Sequence, residues 1–289
     1  MPSLVRASRQ GLVADEESAT RRLVFRPRPK PDESYFGFLI RLAETNFYPP
    51  YWILQKARLP LHTFQGYWPV PANPAVDLVP LACLNDLKVE DLTSLIYPRA
   101  NEDNLTVFGQ RVPRYLLTRL RSKVCPKCLR QSNHCRRHWD FAVVTCCPIH
   151  RNILMDECHK CGGPIKWSRS AVSFCHCGAD WRDAQLPSLP DSETVVSRFV
   201  LQRFGLLSYD DSDSKDCPFY DLPLASAFEG LFLIVGHIKG LPMYLENSFL
   251  VRRTFSKFTT NYCEPFSFSM LGRRTSMTSS TNYAAAINP

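Results

Sequence analysis

The chain has 289 residues, of which 45% are hydrophobic and 21% are charged, and its formal net charge is +8. This composition is typical of a soluble globular protein with one large or two modest domains, and it excludes a largely disordered chain. No apolar run reaches the roughly 18 residues of a membrane span, and no signal-peptide pattern follows Met1. We therefore expect no membrane association and a reducing, cytoplasmic (bacterial) location.

The N-terminal part is predicted to be a tail followed by helices. Residues 1–31 are basic and rich in Pro without periodicity, which predicts a flexible tail. Residues 32–120 are predicted to form a helical domain, whose first helix is capped by Asp32 or Ser34. A second short helix over 51–59 gives a helix-turn-helix-like unit, although such units also occur as plain helical core.

A second helical pair is predicted over residues 81–87 and 89–97. It follows an irregular loop at 60–80 that is rich in Pro and aromatic residues. Cys83 falls on the apolar side of the first of these helices and is expected to be a small core residue. Residues 101–110 are predicted to hold a loop and a short strand.

Nine of the twelve cysteines lie between Cys125 and Cys177, where Cys and His residues form four closely spaced pairs. Two residues between the members of a pair let one turn supply two ligands to a tetrahedral zinc ion. In a reducing compartment such pairs indicate metal sites rather than disulfides. The spacing predicts a tandem zinc-ribbon or zinc-finger module over residues 121–186.

The first predicted zinc site is a Cys₃His site made of Cys125, Cys128, Cys147 and His150. Eighteen residues separate its two halves, enough for the chain to turn back. Cys146 is an alternative ligand, but the Cys-Pro-x-His form of the second half repeats the Cys-Pro-x-Cys form of the first and favours Cys147.

The loop between the two halves holds further candidate residues. Its apolar residues Trp139, Phe141, Val143 and Val144 predict a strand that delivers the second half. His134, Cys135 and His138 are interpreted as spare residues, with the histidines exposed or facing phosphate.

The second predicted zinc site is a Cys₄ site made of Cys158, Cys161, Cys175 and Cys177. Its second pair has the tighter CxC spacing, and glycines after each pair allow the positive φ that such turns need. Four protein ligands on each ion predict two structural zinc ions per chain, because catalytic zinc keeps an open position for water.

Positive charge is concentrated beside the first site, because residues 111–138 include nine Lys or Arg and no Asp or Glu. This block favours a polyanion as partner, since neutralising phosphates releases counterions, and a solvated basic face is the alternative. The residues predicted to contact nucleic acid are Arg111, Arg114, Arg119, Arg121, Lys123, Lys127, Arg130, Arg136 and Arg137.

Two segments follow the cysteine-rich module. Residues 187–246 are predicted to be a helical extension with apolar helices at 192–204 and 223–236. Residues 247–289 are rich in Ser and Thr and are predicted to be a partly disordered tail. The expected fold class is mainly α with small β, and it combines a helix-turn-helix region, the tandem zinc module and this extension.

The sequence gives little support for an enzyme, since the motifs of nucleotide-binding loops, metalloproteases, serine hydrolases and dinucleotide folds do not occur in it. A zinc-supported nuclease would use His134 or His138 with Asp140, but no acidic metal-binding pair accompanies them. The chain is therefore expected not to be an enzyme.

The order of motifs resembles one known family. The residues that carry the resemblance are Glu33-Ser34, Leu39-Ile40-Arg41-Leu42-Ala43, Cys125-Pro-Lys-Cys128-Leu129, Trp139, Cys147-Pro-Ile-His150 and Cys158-His-Lys-Cys161-Gly162. Over roughly residues 32–182 they resemble the TniQ family of transposon target-selection proteins, which includes TnsD. The resemblance implies a non-catalytic adaptor between a target-recognising component and an AAA+ ATPase that recruits the transposase.

TnsD-type members have further helical repeats, so this shorter chain is more similar to members attached to CRISPR effectors, in which a guide RNA supplies specificity. The resemblance thus implies three partners: the AAA+ ATPase, a CRISPR effector complex with guide RNA, and target DNA. Self-association of the chain is a further expectation. The alternatives are a direct sequence-specific DNA-binding target selector of TnsD type and an RNA-binding or nuclease-like zinc protein.

Overall fold

The computed structural model describes residues 22–60, 76–117, 121–209 and 219–239. Over these residues the chain is mostly helical with two small antiparallel sheets. The helices are α1 (Tyr35–Thr45), α2 (Pro50–Lys56), α3 (Val79–Asn85), α4 (Val89–Thr93), α5 (Pro126–Ser132), α6 (Val195–Arg203) and α7 (Leu224–Lys239). Strands β1 (Asn104–Val107) and β2 (Gln110–Pro113) form one hairpin, and β3 (Cys146–Cys147) and β4 (Asn152–Ile153) form the other. Short 3₁₀ helices span Arg114–Leu116, Arg137–Asp140, Trp181–Asp183 and Asp191–Thr194.

Helix α1 is the most enclosed element of the N-terminal part. It begins where the sequence predicts, because the Ser34 hydroxyl accepts a hydrogen bond from the Gly37 amide at 3.0 Å and so caps the helix. All of its residues from Tyr35 to Ile40 are buried. The helix packs against α2 on one side and against the chain around Cys135 on another.

Gly37 permits the close contact with Cys135, and we expect Gly37→Ala to lower the free energy of unfolding. An added Cβ would lie 2.6 Å from Cys135 Cβ, and neither atom can move without its backbone. This overlap outweighs the gain in helix propensity of about 1 kcal/mol, and overpacking of this kind costs about 1–3 kcal/mol. Urea unfolding followed by circular dichroism measures the loss, with Gln55→Ala on the exposed face of α2 as a neutral control. An unchanged unfolding midpoint in Gly37→Ala would contradict the prediction.

Residues 22–31, which were expected to belong to a flexible tail, lie against the helices. Leu23 is buried, and its amide donates to the Leu84 carbonyl at 2.8 Å. The Asn46 side chain accepts from the Phe25 amide at 3.0 Å and donates to its carbonyl at 2.7 Å. Backbone groups hold this segment, which is why its sequence shows no apolar periodicity. Residues 1–21 lie outside the described residues.

The second helical pair forms as α3 and α4: α3 has the predicted length but begins two residues earlier than predicted, and α4 is shorter than predicted. Cys83 was expected in the core, but it is exposed. Its neighbours Leu81, Ala82 and Leu84 form the buried face of α3. The prediction therefore placed Cys83 on the wrong face of the helix. Most of the predicted loop at 60–80 lies outside the described residues.

The predicted strand around Trp139 to Val144 does not form. Residues Arg137–Asp140 make a 3₁₀ helix, and β3 begins only at Cys146. The apolar residues of this stretch are buried without the alternation of a strand, so both of its sides face the core. The Lys123 ammonium group donates to the carbonyls of Phe141 and Val144 at 2.6 and 2.5 Å. These two hydrogen bonds satisfy carbonyls that a neighbouring strand would otherwise bond.

The helical and cysteine-rich segments share one hydrophobic core. Its largest fully buried side chains come from both segments and include Tyr35 and Trp139. Polar contacts join the same segments at the surface, because the Asp32 carboxylate accepts from Arg136 at 2.8 Å. The metal-ligand candidates are therefore built into the same packed body as α1.

The C-terminal extension contains the two predicted helices, α6 and α7. Phe204 at the end of α6 packs against Phe108 and Phe141, with ring centroids 5.2 and 5.5 Å apart. Helix α7 packs against β2. In the described part of the chain, no helix is both long and apolar enough to cross a membrane. Residues 240–289, which include the whole of the predicted C-terminal tail, are outside that part.

Candidate metal centres

The first candidate metal centre brings together the side chains of Cys125, Cys128, Cys147 and His150. Their ligand atoms all lie within 4.8 Å of one another. The Cys128 and Cys147 sulfurs are 3.7 Å apart, and His150 Nδ1 is 3.2 Å from the Cys128 sulfur. Ligand atoms around a tetrahedral zinc ion, with Zn–S of about 2.3 Å and Zn–N of about 2.0 Å, are about 3.5–3.8 Å apart. The cluster has the size of a tetrahedral metal site, and all its cysteines are free.

Short backbone elements aim these ligands at one point. Cys125 caps helix α5, so that the Cys128 amide donates to the Cys125 sulfur at 3.5 Å. The turn between β3 and β4 supplies the other two ligands, and Arg151 closes it with a φ of 50°. Val124 and Met155 exchange two backbone hydrogen bonds of 2.8 Å, which join the two halves of the centre.

Cys146 lies beside this centre but points away from it. Its sulfur is 3.7 Å from the Glu193 carbonyl oxygen, and its amide donates to the Ser197 hydroxyl at 3.3 Å. Successive side chains of a strand point to opposite faces, so Cys146 and Cys147 cannot both face the metal. The structure places the Cys147 sulfur in the cluster.

The sulfurs of the first centre compete for protons. The pKa of the Cys125 thiol is lowered well below its usual range, because the Cys128 and Cys147 thiols donate hydrogen bonds to its sulfur. The same hydrogen bonds raise the pKa of the Cys128 thiol and of the Cys147 thiol. A metal ion must displace these protons, so its binding weakens as the pH falls.

The second candidate metal centre contains Cys158, Cys161, Cys175 and Cys177. The Cys158 and Cys177 sulfurs are 3.8 Å apart, and those of Cys161 and Cys175 are 3.7 Å apart. These separations match the edges of a tetrahedron of thiolates around zinc.

The turns of the second centre explain the CxC spacing. Gly162 and Gly178 follow the two pairs with φ of 67° and 82°, conformations that glycine adopts without strain. The Gly178 amide donates to the Cys175 carbonyl at 2.9 Å, and the Cys175 amide donates to the Ala179 carbonyl at 2.9 Å. This tight loop turns both of its sulfurs inward with one intervening residue.

The two centres differ in exposure, and we expect a chelator to empty the second one first. Cys125 and Cys128 are buried in the first centre, whereas Cys161 and Cys177 are exposed in the second. A chromogenic chelator added to the metal-loaded protein should therefore release metal in a fast and a slow phase. In Cys161→Ser the fast phase should disappear while the slow phase remains. Release in one phase, or loss of the slow phase in that variant, would contradict the assignment.

His134 and His138 were expected to be exposed or to face phosphate, but both are buried, so this prediction is wrong. His134 Nε2 lies 3.1 Å from an Asp32 carboxylate oxygen. His138 is 3% exposed, and burial lowers its pKa to about 3. The Cys135 sulfur accepts a hydrogen bond from Arg169 at 2.9 Å. The neighbouring arginines suggested solvent, but Arg136 is itself held by Asp32.

His134, His138 and Asp140, the residues of the nuclease alternative, are also buried in the protein. Asp140 is buried, which raises its pKa to about 7, and it accepts a hydrogen bond from the Tyr97 hydroxyl at 2.7 Å. Neither His134 nor His138 joins the metal-capable clusters found among the described residues.

Intramolecular contacts engage much of the basic block. Arg137 donates to the Ser94 and Ile96 carbonyls at 2.5 and 2.6 Å and lies over the Tyr97 ring. The block residues bonded within the chain are Arg114, Arg121, Lys123, Arg136 and Arg137. Arg111, Lys127 and Arg130 are exposed, and Arg119 lies outside the described residues. Nucleic-acid contact by this block stays a prediction, and among the described residues its best candidates are the three exposed ones.

Comparison with known proteins identifies the domain that surrounds the first centre. Residues 24–154 match the family model TniQ. No curated protein matches the chain. The match begins in the packed segment before α1 and ends just after β4, so it includes the first metal centre and stops before the second. A TniQ domain implies involvement in transposition target selection, and TniQ proteins are non-catalytic accessory proteins of transposition. Residues 24–154 of the chain are thus similar to the TniQ family.

Proposed function

We propose that the protein is a non-catalytic adaptor for target selection in CRISPR RNA-guided DNA transposition. It would link the target-bound effector complex to the AAA+ ATPase that recruits the transposase. One observation carries the non-catalytic part of this proposal: the first metal centre has four protein ligand atoms and lies largely buried inside the TniQ match. A closed centre has no open position for a reacting water, so its role is to hold the fold.

We propose zinc as the metal at both centres. Three thiolates with one imidazole, and four thiolates, are ligand sets typical of structural zinc. The ligand separations agree with its tetrahedral geometry. In this role the first ion fixes α5 and the β3–β4 hairpin, and the second fixes the turns around Cys161 and Cys175.

A direct DNA-binding target selector is the second candidate, and the exposed face of α2 supports it. Helices α1 and α2 are the two parts of the predicted helix-turn-helix-like unit, and α2 exposes Tyr51 and Gln55. A selector of this kind would bind one duplex site tightly without other proteins and would lose affinity at each mismatched base pair. An adaptor would show neither property.

Co-purification tests the adaptor proposal. The tagged full chain is expressed with candidate ATPase subunits and CRISPR effector subunits, together and separately. We expect both to be retained, the effector only with its guide RNA, and the metal content to be about two zinc ions per chain. Failure to retain either partner would sink the adaptor proposal. Tight binding to one duplex sequence by the chain alone would favour the selector.

A further inference from the structure

An exposed aromatic surface lies where α1 meets α2. We name it the α1–α2 corner, and its residues are Phe47, Tyr48, Tyr51, Trp52, Lys56 and Arg58. The Phe47 side chain is 88% exposed and that of Tyr51 is 61% exposed. The Tyr48 and Trp52 rings stack with centroids 4.0 Å apart, and Lys56 lies 5.4 Å from the Trp52 ring centroid. Exposed apolar groups concentrated in this way mark an interaction site.

The backbone of this corner is strained. Helix α1 ends in a Schellman turn, in which the Tyr48 amide donates to the Ala43 carbonyl and the Phe47 amide donates to the Glu44 carbonyl. Phe47 takes the left-handed position of that turn, with a φ of 59°, where glycine is usual. Arg58 takes the same position after α2, with a φ of 52°. Neither exposed side chain gains burial that would offset this strain, and such strain is typical of functional surfaces.

The charge at the corner is positive. The sequence has no Asp or Glu between Glu44 and Asp77. Glu44 itself accepts a hydrogen bond from the Val172 amide at 3.0 Å, so it is engaged outside the corner. Lys56 thus lies over the half-buried Trp52 ring, Arg58 is exposed two residues later, and neither has a nearby carboxylate in the sequence. Unpaired bases stack on aromatic rings while their phosphates bind cations, so this combination fits single-stranded nucleic acid.

We propose that the α1–α2 corner binds single-stranded DNA or RNA, with unpaired bases stacked on Phe47 and Tyr51 and phosphates bound by Lys56 and Arg58. Stacking on ring faces is tolerant of sequence. The proposed activity therefore differs from reading of base edges in a duplex groove by α2. It goes beyond the adaptor role and does not depend on which proteins bind the chain.

The test measures binding of fluorescein-labelled oligothymidine and oligouridine to the full-length, metal-loaded chain by fluorescence anisotropy. We expect one or both strands to bind more tightly than a DNA duplex of the same length. Tyr51→Ala should weaken single-strand binding by about 5- to 100-fold, whereas Tyr51→Phe should retain it. Lys56→Gln should reduce the slope of log affinity against log salt by about 0.7.

Two further variants separate lost binding from lost folding. Phe47→Gly removes the exposed ring and also relieves the positive φ, so it should weaken binding while keeping or raising the melting temperature. Tyr209→Ala removes a tyrosine of similar exposure, 52%, from the segment that follows α6, and it should leave binding unchanged.

Three outcomes would overturn the proposal. The first is equal single-strand affinity of Tyr51→Ala and the unaltered chain, and the second is equal affinity for duplex and single strand. The third is loss of a co-purifying protein in Tyr51→Ala without any change in oligonucleotide binding, which would make the corner a protein-docking surface. Failure of the adaptor proposal alone would leave single-strand binding and its dependence on Tyr51 intact.

Discussion

Cys147→Ser is expected to leave the chain with about one metal ion and to lower its free energy of unfolding by more than about 4 kcal/mol. The Cys147 sulfur belongs to the buried first centre, and serine is a poor ligand for a soft tetrahedral site. Loss of that ion would release the β3–β4 turn from α5. Metal analysis of the purified protein and denaturant unfolding measure the two effects.

Cys146→Ser is the matched control for this variant. Cys146 is the adjacent residue and is equally buried, but its sulfur faces the Glu193 carbonyl instead of the metal centre. This variant should keep about two metal ions and lose much less stability than Cys147→Ser. If Cys146→Ser lost the ion and Cys147→Ser kept it, the choice of ligand would be reversed.

The candidate metal centres could be predicted from the sequence because the spacing of the ligand residues within each pair is a local feature of the chain. The spacing within each Cys or His pair determines whether one turn can present both ligands, and the choice of Cys147 follows from the repeated Cys-Pro form. The Ser34 cap is local for the same reason, since its hydroxyl bonds an amide only three residues away. Each of these features is contained within a few consecutive residues.

The misplaced residues depend on contacts across the chain. His134 and Arg136 look like exposed loop residues until Asp32, more than a hundred residues earlier, is placed beside them. The strand expected around Trp139 fails because a lysine side chain supplies hydrogen bonds that a neighbouring strand would otherwise give. A run of Lys and Arg in the sequence likewise does not reveal which of these side chains form hydrogen bonds within the molecule. Such long-range pairings cannot be read from periodicity or spacing.

Arg41→Met is expected to lower the free energy of unfolding by about 3–5 kcal/mol, because it leaves a buried carboxylate without its main partner. The Glu33 side chain is 0% exposed and that of Arg41 is 11% exposed. Arg41 donates to both Glu33 carboxylate oxygens, at 2.7 and 2.6 Å, and also to the Arg28 carbonyl at 2.8 Å. Both residues belong to the motifs that carry the TniQ resemblance, so this ion pair gives those motif positions a structural role.

Denaturant unfolding of a double-mutant cycle measures this contribution. Glu33→Gln combined with Arg41→Met removes the uncompensated charge and should recover part of the stability that Arg41→Met loses. Arg41→Lys should fall between the unaltered chain and Arg41→Met, because an ammonium group cannot reproduce the two parallel hydrogen bonds of the guanidinium. Exposed ion pairs usually contribute less than about 1 kcal/mol to the free energy of unfolding. A loss below that value in Arg41→Met would show that water reaches Glu33 and that the Glu33–Arg41 pair does not anchor α1.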